Sequence, residues 1–194
     1  VDLPGTYSLL SASVEEEIAR DFLLFARPDA VIVVVDATAL ERNLNLTLQI
    51  LEITGKVVIA LNLMDEAKRK GIQVNSQRLA KELGVPVVPT VARTGEGLSL
   101  LIQMVADLIE GRIIPHPRRI PLDPALEKAI RELTPLVVEI FPDVANPRWI
   151  ALRLLDGDAS INELLRRKES IKGKGTTGEA SGALHSPEKE KVSV

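Results

Sequence analysis

The sequence predicts an α/β fold: an incomplete, doubly wound parallel sheet with a small α-helical unit appended. Three observations carry this. Short β-branched runs recur at Val31 to Val35, Val57 to Leu61 and Val85 to Val91. Amphipathic helical patterns separate them, and a Pro- and Arg-rich connector leads into helical patterns with no further strand. Apolarity that is continuous rather than alternating marks strands covered on both faces, as in a parallel sheet.

The helices come in order between and after these strands. Leu40, Leu44, Leu48 and Leu51 recur at i+4 and i+3 spacing, and Gly55 supplies the stop. Ser76 to Leu83 makes a shorter helix ended by Gly84. After the third strand, Leu98, Leu101, Ile102, Val105, Leu108 and Ile109 form an amphipathic stripe closed by Gly111. The alternation β-α-β-α-β-α places ligands at the carboxyl ends of the strands.

Ile113 to Pro121 has no helical period and reads as a connector. Asp123-Pro124 then sets an N-cap with Pro at the first helical position. Leu126, Ile130, Leu133, Val137 and Ile140 give the helix a face, which Pro135 should kink. Asn146-Pro147 starts a second helix through Trp149, Ile150 and Leu154, stopped near Gly157, with Trp149 as a core anchor. Ser160 with Glu163 forms a capping box for a third. From about Ser170 the chain is Lys, Gly, Ser, Thr and Glu with almost no large apolar residue, the composition of a flexible tail. Gly173 to Thr177 lacks the spacing and the preceding strand of a phosphate loop. The expected division is 1–112, 113–168 and a tail over 169–194.

Composition narrows the function. In 194 residues the apolar share is 45% and the net charge −3, with Lys and Arg scattered among acids, which argues against a nucleic-acid surface. No Cys and only His116 and His185 leave neither a disulfide framework nor a soft-ligand metal cluster, which suits a reducing compartment. No signal peptide is evident, and runs such as Val31 to Val35 are too short to span a bilayer, so the chain reads as soluble. Val1-Asp2 looks like a strand already ending, without an initiating Met, so preceding material is expected to be missing.

Three loops carry chemistry. In Asp2-Leu3-Pro4-Gly5-Thr6 the D-x-x-G spacing admits two readings. It is an ordinary Pro-Gly turn, or it sets a carboxylate near a phosphate-bound Mg²⁺ and the Gly5 N–H against a γ-phosphate. In Asn62-Leu63-Met64-Asp65, directly after the second strand, the polar pair is either a helix-capping Asx pair or a base reader. The Asp65 carboxylate accepts two hydrogen bonds and donates none, which suits the ring N–H and amine of guanine. Leaving it unpaired against adenine costs about 1–3 kcal/mol, roughly tenfold to several hundredfold. In Val91-Ala92-Arg93, at the end of the third strand, the small Ala92 lets its N–H approach guanine O6, and Arg93 lays its stem along the base. Three such loops in this order, each at a strand's carboxyl end, point to a GTP-binding domain of the P-loop GTPase (G-protein) type. The G-x-x-x-x-G-K-[ST] loop itself is absent from the 194 residues.

The segments 2–9 (DLPGTYSL), 19–24 (ARDFLL), 35–49 (VDATALERNLNLTLQ), 60–67 (ALNLMDEA) and 83–90 (LGVPVVPT) resemble the cytoplasmic GTPase domain of the bacterial ferrous iron transport protein B family. Residues 146–158 (NPRWIALRLLDGD) resemble its helical domain, which is similar to a guanine-nucleotide dissociation inhibitor. The likeness covers about residues 1 to 165.

The resemblance implies GTP or GDP and Mg²⁺ as cofactors, a transmembrane permease portion of the same transporter as partner, and the cytoplasmic face of the bacterial inner membrane as location. It implies a GTP-regulated gate for Fe²⁺ uptake, with iron bound elsewhere than in this segment. In the intact protein Asp2 would hold Mg²⁺ through water and Gly5 would sense the γ-phosphate. Thr6 stands where many small GTPases carry a water-orienting Gln, which implies slow hydrolysis. Asn62, Leu63, Met64, Asp65, Val91, Ala92 and Arg93 would bind the base. The segment from Thr6 through Glu15, Glu16 and Glu17 would be a switch, although for the three acids a solvated helix face serves equally well. By the family's pattern, the strand leading into the phosphate loop lies between the strand ending at Asp2 and Val31 to Val35, so the sheet here should have a gap. The segment alone should bind GTP poorly and not hydrolyse it. Two other classes remain open: a nucleotide-free interaction module, and a ribosome-assembly GTPase, which the acidic balance disfavours.

Overall fold

The structure is a computed structural model that describes residues 1–6, 8–9, 13–119, 121–164 and 166. Its elements run α1 (Val14–Asp21), a π-helix (Phe22–Ala26), β1 (Val31–Asp36), α2 (Leu40–Ile53), β2 (Val57–Asn62), α3 (Met64–Arg69), α4 (Ser76–Leu83), β3 (Val87–Pro89), α5 (Leu98–Ile109), α6 (Pro124–Ile140) and α7 (Pro147–Leu155). The three strands form one parallel sheet in the order β1-β2-β3. Register pairs Asp36 with Asn62 and Leu61 with Pro89, so the chain leaves all three strands at one carboxyl edge.

The predicted strand Val85 to Val91 pairs as a ladder only over three residues. Pro86 and Pro89 have no N–H to donate. The carbonyl of Pro86 still accepts from Ile59 N, and Thr90 N donates to Leu61 O, so the extended path continues beyond the ladder. The helix ending at Gly84 forms as predicted, with Gly84 at φ +74. A Cβ there would lie 1.9 Å from His116 O. The backbone of the connector is pinned at this point, His116 N donating to Gly84 O and Arg118 N to Leu83 O.

Among the described residues, α1, the π-helix and α3 lie where the sequence reading placed no helix. In α1, Ser13 caps Glu16 N, and Glu15, Glu16 and Glu17 occupy the first turn, where the helix dipole favours negative charge. Residues 64–69 turn into α3 directly after β2. The helix α6 continues through Pro135, and the Thr134 hydroxyl donates to Ile130 O one turn back. The last helical stretch, 159–164, is capped by Asp158 rather than Ser160: Asp158 Oδ1 accepts from the N–H of Ser160 at 3.0 Å and of Ile161 at 3.4 Å. Asp158 is two residues earlier than the expected cap because its carboxylate reaches both free amides of the first turn. The proposed tail lies outside the described residues.

One continuous core joins sheet and helical unit. It runs from Leu24, Val35, Ile59 and Leu61 through Ile130, Phe141, Trp149 and Ile161, with Trp149 only 4% exposed. On the opposite sheet face a smaller cluster of Val58, Ala60 and Val88 sits under Leu101 and Leu108 of α5. That face explains a departure from expectation. β2 is buried from Val57 to Leu61, as continuous apolarity predicts, but Ile32 and Val34 of β1 are 48% and 62% exposed. No described element covers the outer face of β1, because α5 packs over β2 and β3 only.

Candidate functional site

The carboxyl edge of the sheet brings the second and third loops together. Asn62 ends β2, and its side-chain Oδ1 accepts from Ala92 N at 3.0 Å and from Thr90 Oγ1 at 3.3 Å. One side chain thus ties both loops. Leu63 then takes a left-handed conformation, φ 61, which an aliphatic residue rarely adopts. This reversal turns the chain into α3 and sets Asp65 in its first turn. Asp65 Oδ2 lies 3.1 Å from Arg93 Nη2. Asp65 and Arg93 also differ in access, their side chains being 29% and 78% exposed.

The loop after β3 is compact. Val91 pairs with Glu96 across an isolated bridge, and Val91 O accepts from the N–H groups of Thr94 and Gly95. Gly97 at φ +80 admits no side chain, since a Cβ would stand 2.1 Å from Pro89 O. Among the residues expected to bind the base, Val91 is buried, Met64 packs against the core and Leu63 shapes the backbone. The polar groups are those of Asn62, Asp65, Ala92 and Arg93. Beside them a cavity of about 610 Å³ is lined by Met64, Asp65, Lys68, Val91 and Glu96 among others.

Sequence reasoning missed Thr90 as part of this site. It is 2% exposed, its hydroxyl bonds Asn62 and its carbonyl accepts from Met64 N at 3.4 Å. The available signal was a hydroxyl residue at the end of an otherwise apolar strand.

Asp2, Gly5 and Thr6 are not brought to these loops. They line a separate groove of about 630 Å³ whose far wall is β1, Val31 to Val34, with Leu46 and Ile50 beneath. Asp2 is the one carboxylate among the residues that line it. Thr6 turns on itself: its hydroxyl donates to Ser8 O at 2.6 Å and accepts from Ser8 N at 3.2 Å. The segment is tethered just beyond, where Gln49 Oε1 of α2 accepts from Leu9 N at 2.6 Å. Nothing lies within 4 Å of a Cβ built on Gly5, so its neighbours do not require a glycine there. Among the described residues, no group of three or more His, Asp or Glu could hold a metal ion, and no helix is long and apolar enough to cross a membrane.

Comparison with known proteins bears on both units. The family model "Ferrous iron transport protein B" matches residues 1–105, and the model "FeoB cytosolic helical domain" matches 123–180. A Porphyromonas gingivalis protein named as a fusion of Fe(2+) transport protein A and Fe(2+) transporter FeoB is 44% identical over 169 residues, covering 85% of this chain and 20% of its own length. Staphylococcus aureus Fe(2+) transporter FeoB is 37% identical over 166 residues, 84% of this chain and 25% of its own. The chain therefore spans about a fifth to a quarter of the curated relatives it matches. Among solved structures, the cytosolic domain of the T. maritima FeoB iron transporter in its GMPPNP form superposes with a TM-score of 0.73 at 36% identity, over 93% of this chain and 69% of that one. The FeoB G-domain of Methanococcus jannaschii is 47% identical with a TM-score of 0.56, over 57% of this chain and 70% of that one. The parallel sheet with flanking helices is that of an α/β P-loop GTPase domain, followed by the family's helical domain. With two family models together matching most of its length, the chain belongs to the ferrous iron transport protein B family.

Proposed function

We propose that this chain is the regulatory GTPase segment of a ferrous iron transporter, and that it carries the base-recognition half of the guanine-nucleotide site. The observation that carries the reading is the single side chain of Asn62, which holds the Ala92 N–H and the Thr90 hydroxyl at the sheet edge from which the chain turns into Asp65. A guanine there meets a carboxylate that only accepts, Asp65, and a backbone N–H at Ala92 for its O6. The relatives' names supply the nucleotide class: solved homologous domains are described with GDP and with GMPPNP.

The residues fit the base. Asp65 presents one face to a cavity, its present partner is a largely exposed Arg93, and exposed pairs of this kind contribute only about 0–1 kcal/mol, so guanine can displace it. Ala92 N is now satisfied by Asn62, which keeps the loop in place until O6 competes for it. Mg²⁺ is carried by the same reading. Such ions are held by one or two carboxylates together with phosphate oxygens, and Asp2 offers one carboxylate at the groove beside β1. Asp2 would hold the ion through water, Gly5 N–H would meet the γ-phosphate and Thr6 would face the attacking water without a carboxamide to orient it. The ion would supply charge neutralisation on the phosphates.

The 194 residues contain no phosphate-binding loop, and a groove of about 630 Å³ lies between residues 1–6 and β1, which supports the expected gap in the sheet. The chain on its own therefore holds the base weakly and does not hydrolyse GTP. In the intact transporter, nucleotide binding here would gate a membrane permease on whose cytoplasmic side the segment sits, the lipid bilayer being a bacterial inner membrane. GTP turnover assayed on the purified chain, with contaminating GTPases excluded, tests this: the expected rate is that of buffer, and real turnover contradicts it. Base selectivity separates this reading from a nucleotide-free docking module, which shows no preference for guanine over adenine.

A further inference from the structure

We propose that Thr90 is a positioning residue of the base-recognition site: its buried hydroxyl holds the Asn62 carboxamide with Nδ2 turned towards the ligand, and so sets the strength of one purine contact. Thr90 is 2% exposed, so its hydroxyl must find a partner within the protein. Its backbone is fixed on both sides of Asn62. Thr90 N donates to Leu61 O at 2.8 Å, and Thr90 O accepts from Met64 N at 3.4 Å. The following loop closes over the same point, since a Cβ on Gly97 would come within 3.2 Å of Thr90 Cα. With the backbone pinned and χ1 stiff at a β-branched residue, the hydroxyl is held to one direction. It donates to Asn62 Oδ1 at 3.3 Å.

A carboxamide can turn over, exchanging its oxygen and its amine. The Ala92 N–H is a donor only, so the atom it meets at 3.0 Å is the oxygen. Two donors thus converge on Asn62 Oδ1, and among the described residues nothing engages Nδ2. This leaves one amine at the sheet edge, next to the Ala92 N–H. Guanine carries two acceptors side by side on one edge, O6 and N7. Where the Ala92 N–H takes O6, Asn62 Nδ2 meets N7.

That step rests on the guanine reading proposed above, and it gives Thr90 its role. In the free chain two donors hold Oδ1. Once O6 draws the Ala92 N–H to itself, the Thr90 hydroxyl is the donor that remains to keep Oδ1 inward and Nδ2 outward. Thr90→Val preserves the branched shape and removes that donor, so the cost falls on the bound state and on the N7 contact in particular. Thr47 supplies a control of the same kind. It is 0% exposed, and its hydroxyl donates to Asn43 O at 3.0 Å within α2.

The test titrates the full 194-residue chain with guanosine and with 7-deazaguanosine, which carries C–H in place of N7, and follows the Asp65 amide resonance in wild type, Thr90→Val, Thr90→Ser and Thr47→Val. Wild type is expected to prefer guanosine by about fivefold, the worth of one hydrogen bond. Thr90→Val is expected to abolish that preference while 7-deazaguanosine binds as before. Thr90→Ser, which keeps the hydroxyl, and Thr47→Val are expected to retain it. Equal losses for both nucleosides in Thr90→Val, an unchanged preference there, or no preference in wild type each overturn the positioning role. Should Thr90→Val fail to fold, Thr90→Ala takes its place. A second arm needs no ligand: exchange of the Ala92 amide is expected to rise about threefold in Thr90→Val and not in Thr90→Ser or Thr47→Val. Equal exchange in all of them overturns the hold on Asn62. If guanosine leaves wild type unperturbed, the guanine reading fails and the ligand-free arm judges Thr90 alone. If guanosine binds and Thr90→Val changes nothing, the proposal for Thr90 fails and the guanine reading stands.

Discussion

Arg93 and Asp65 face each other across the site, Nη2 to Oδ2 at 3.1 Å, so the carboxylate that would read guanine is held by a cation from the opposite loop. The Arg93 side chain is 78% exposed, which makes the pair cheap to open. A base entering the cavity beside Asp65 would have to displace the guanidinium.

Arg93→Ala should therefore tighten guanine-nucleotide binding modestly, by up to about fivefold, the worth of an exposed ion pair. The measurement is titration with GDP in matched buffers at low and about 0.5 M salt, where the screening length is several ångströms shorter. The gain should shrink as salt rises. A loss of affinity insensitive to salt would assign Arg93 to stacking instead.

Asp65→Asn replaces one acceptor oxygen by a donor. Guanine's amine then meets an N–H, whereas xanthine offers a carbonyl at the same place. Competition between GDP and xanthosine diphosphate should shift towards xanthine by roughly tenfold or more, about 1.4 kcal/mol. Unchanged preference would mean that Asp65 does not touch the base.

Asn62→Ala removes the acceptor shared by Ala92 N and Thr90 Oγ1. The expected loss is about 1–3 kcal/mol, the cost of a partly buried donor left unpaired. Amide exchange at Ala92 should accelerate while β1 and α6 keep their protection. Uniform acceleration would indicate global unfolding and not loosening of the site.

Gly84→Ala and Gly71→Ala separate strain from collision. Both residues have positive φ, +74 and +70, but a Cβ meets His116 O at 1.9 Å at the first and open space at the second. Gly71→Ala should cost about 1 kcal/mol, from the left-handed backbone. Gly84→Ala should cost at least about 2 kcal/mol more, because α4 and the connector must part. Equal denaturant midpoints for the two would refute the contact.

Glu15 gives the pH dependence a sign. Hydrogen bonding to its own backbone N–H, and then to the Ser13 side chain, lowers its pKa from the ordinary 4.5. The folded state therefore binds the proton less readily than the unfolded one. The contribution of Glu15 is present above pH 4.5 and disappears as pH falls through the lowered folded value. Exchange in α1 should rise on that descent, and Glu15→Gln should flatten the rise.

Much of this was legible in the sequence because the deciding signals are local. Gly84 ends α4 through its own φ, Asn146-Pro147 starts α7 with a side-chain cap, and Asn62 sits at the end of β2 in a parallel register. What escaped depends on distant partners. Nothing near Thr90 reveals that its hydroxyl meets Asn62, 28 residues earlier, or near Arg20 that it is buried against Ser160. The exposure of Ile32 and Val34 was hidden for the same reason: their apolarity announces a covered strand, and which neighbour covers it is not written in β1. Asp158 took the cap expected of Ser160 because the Ser160 hydroxyl is engaged with both Arg20 and Asp158.

The central claim is that this chain holds the base-reading half of a guanine-nucleotide site without the phosphate half. The most direct measurement tracks the amide resonances of Asp65 and Ala92 while the 194-residue chain is titrated in turn with guanosine, GMP, GDP, GTP and ATP, each with Mg²⁺. The account predicts that the four guanine ligands perturb both amides with similar affinities, on the order of millimolar, and that ATP does not. Affinity that climbs steeply with each added phosphate, or equal perturbation by ATP, would contradict it.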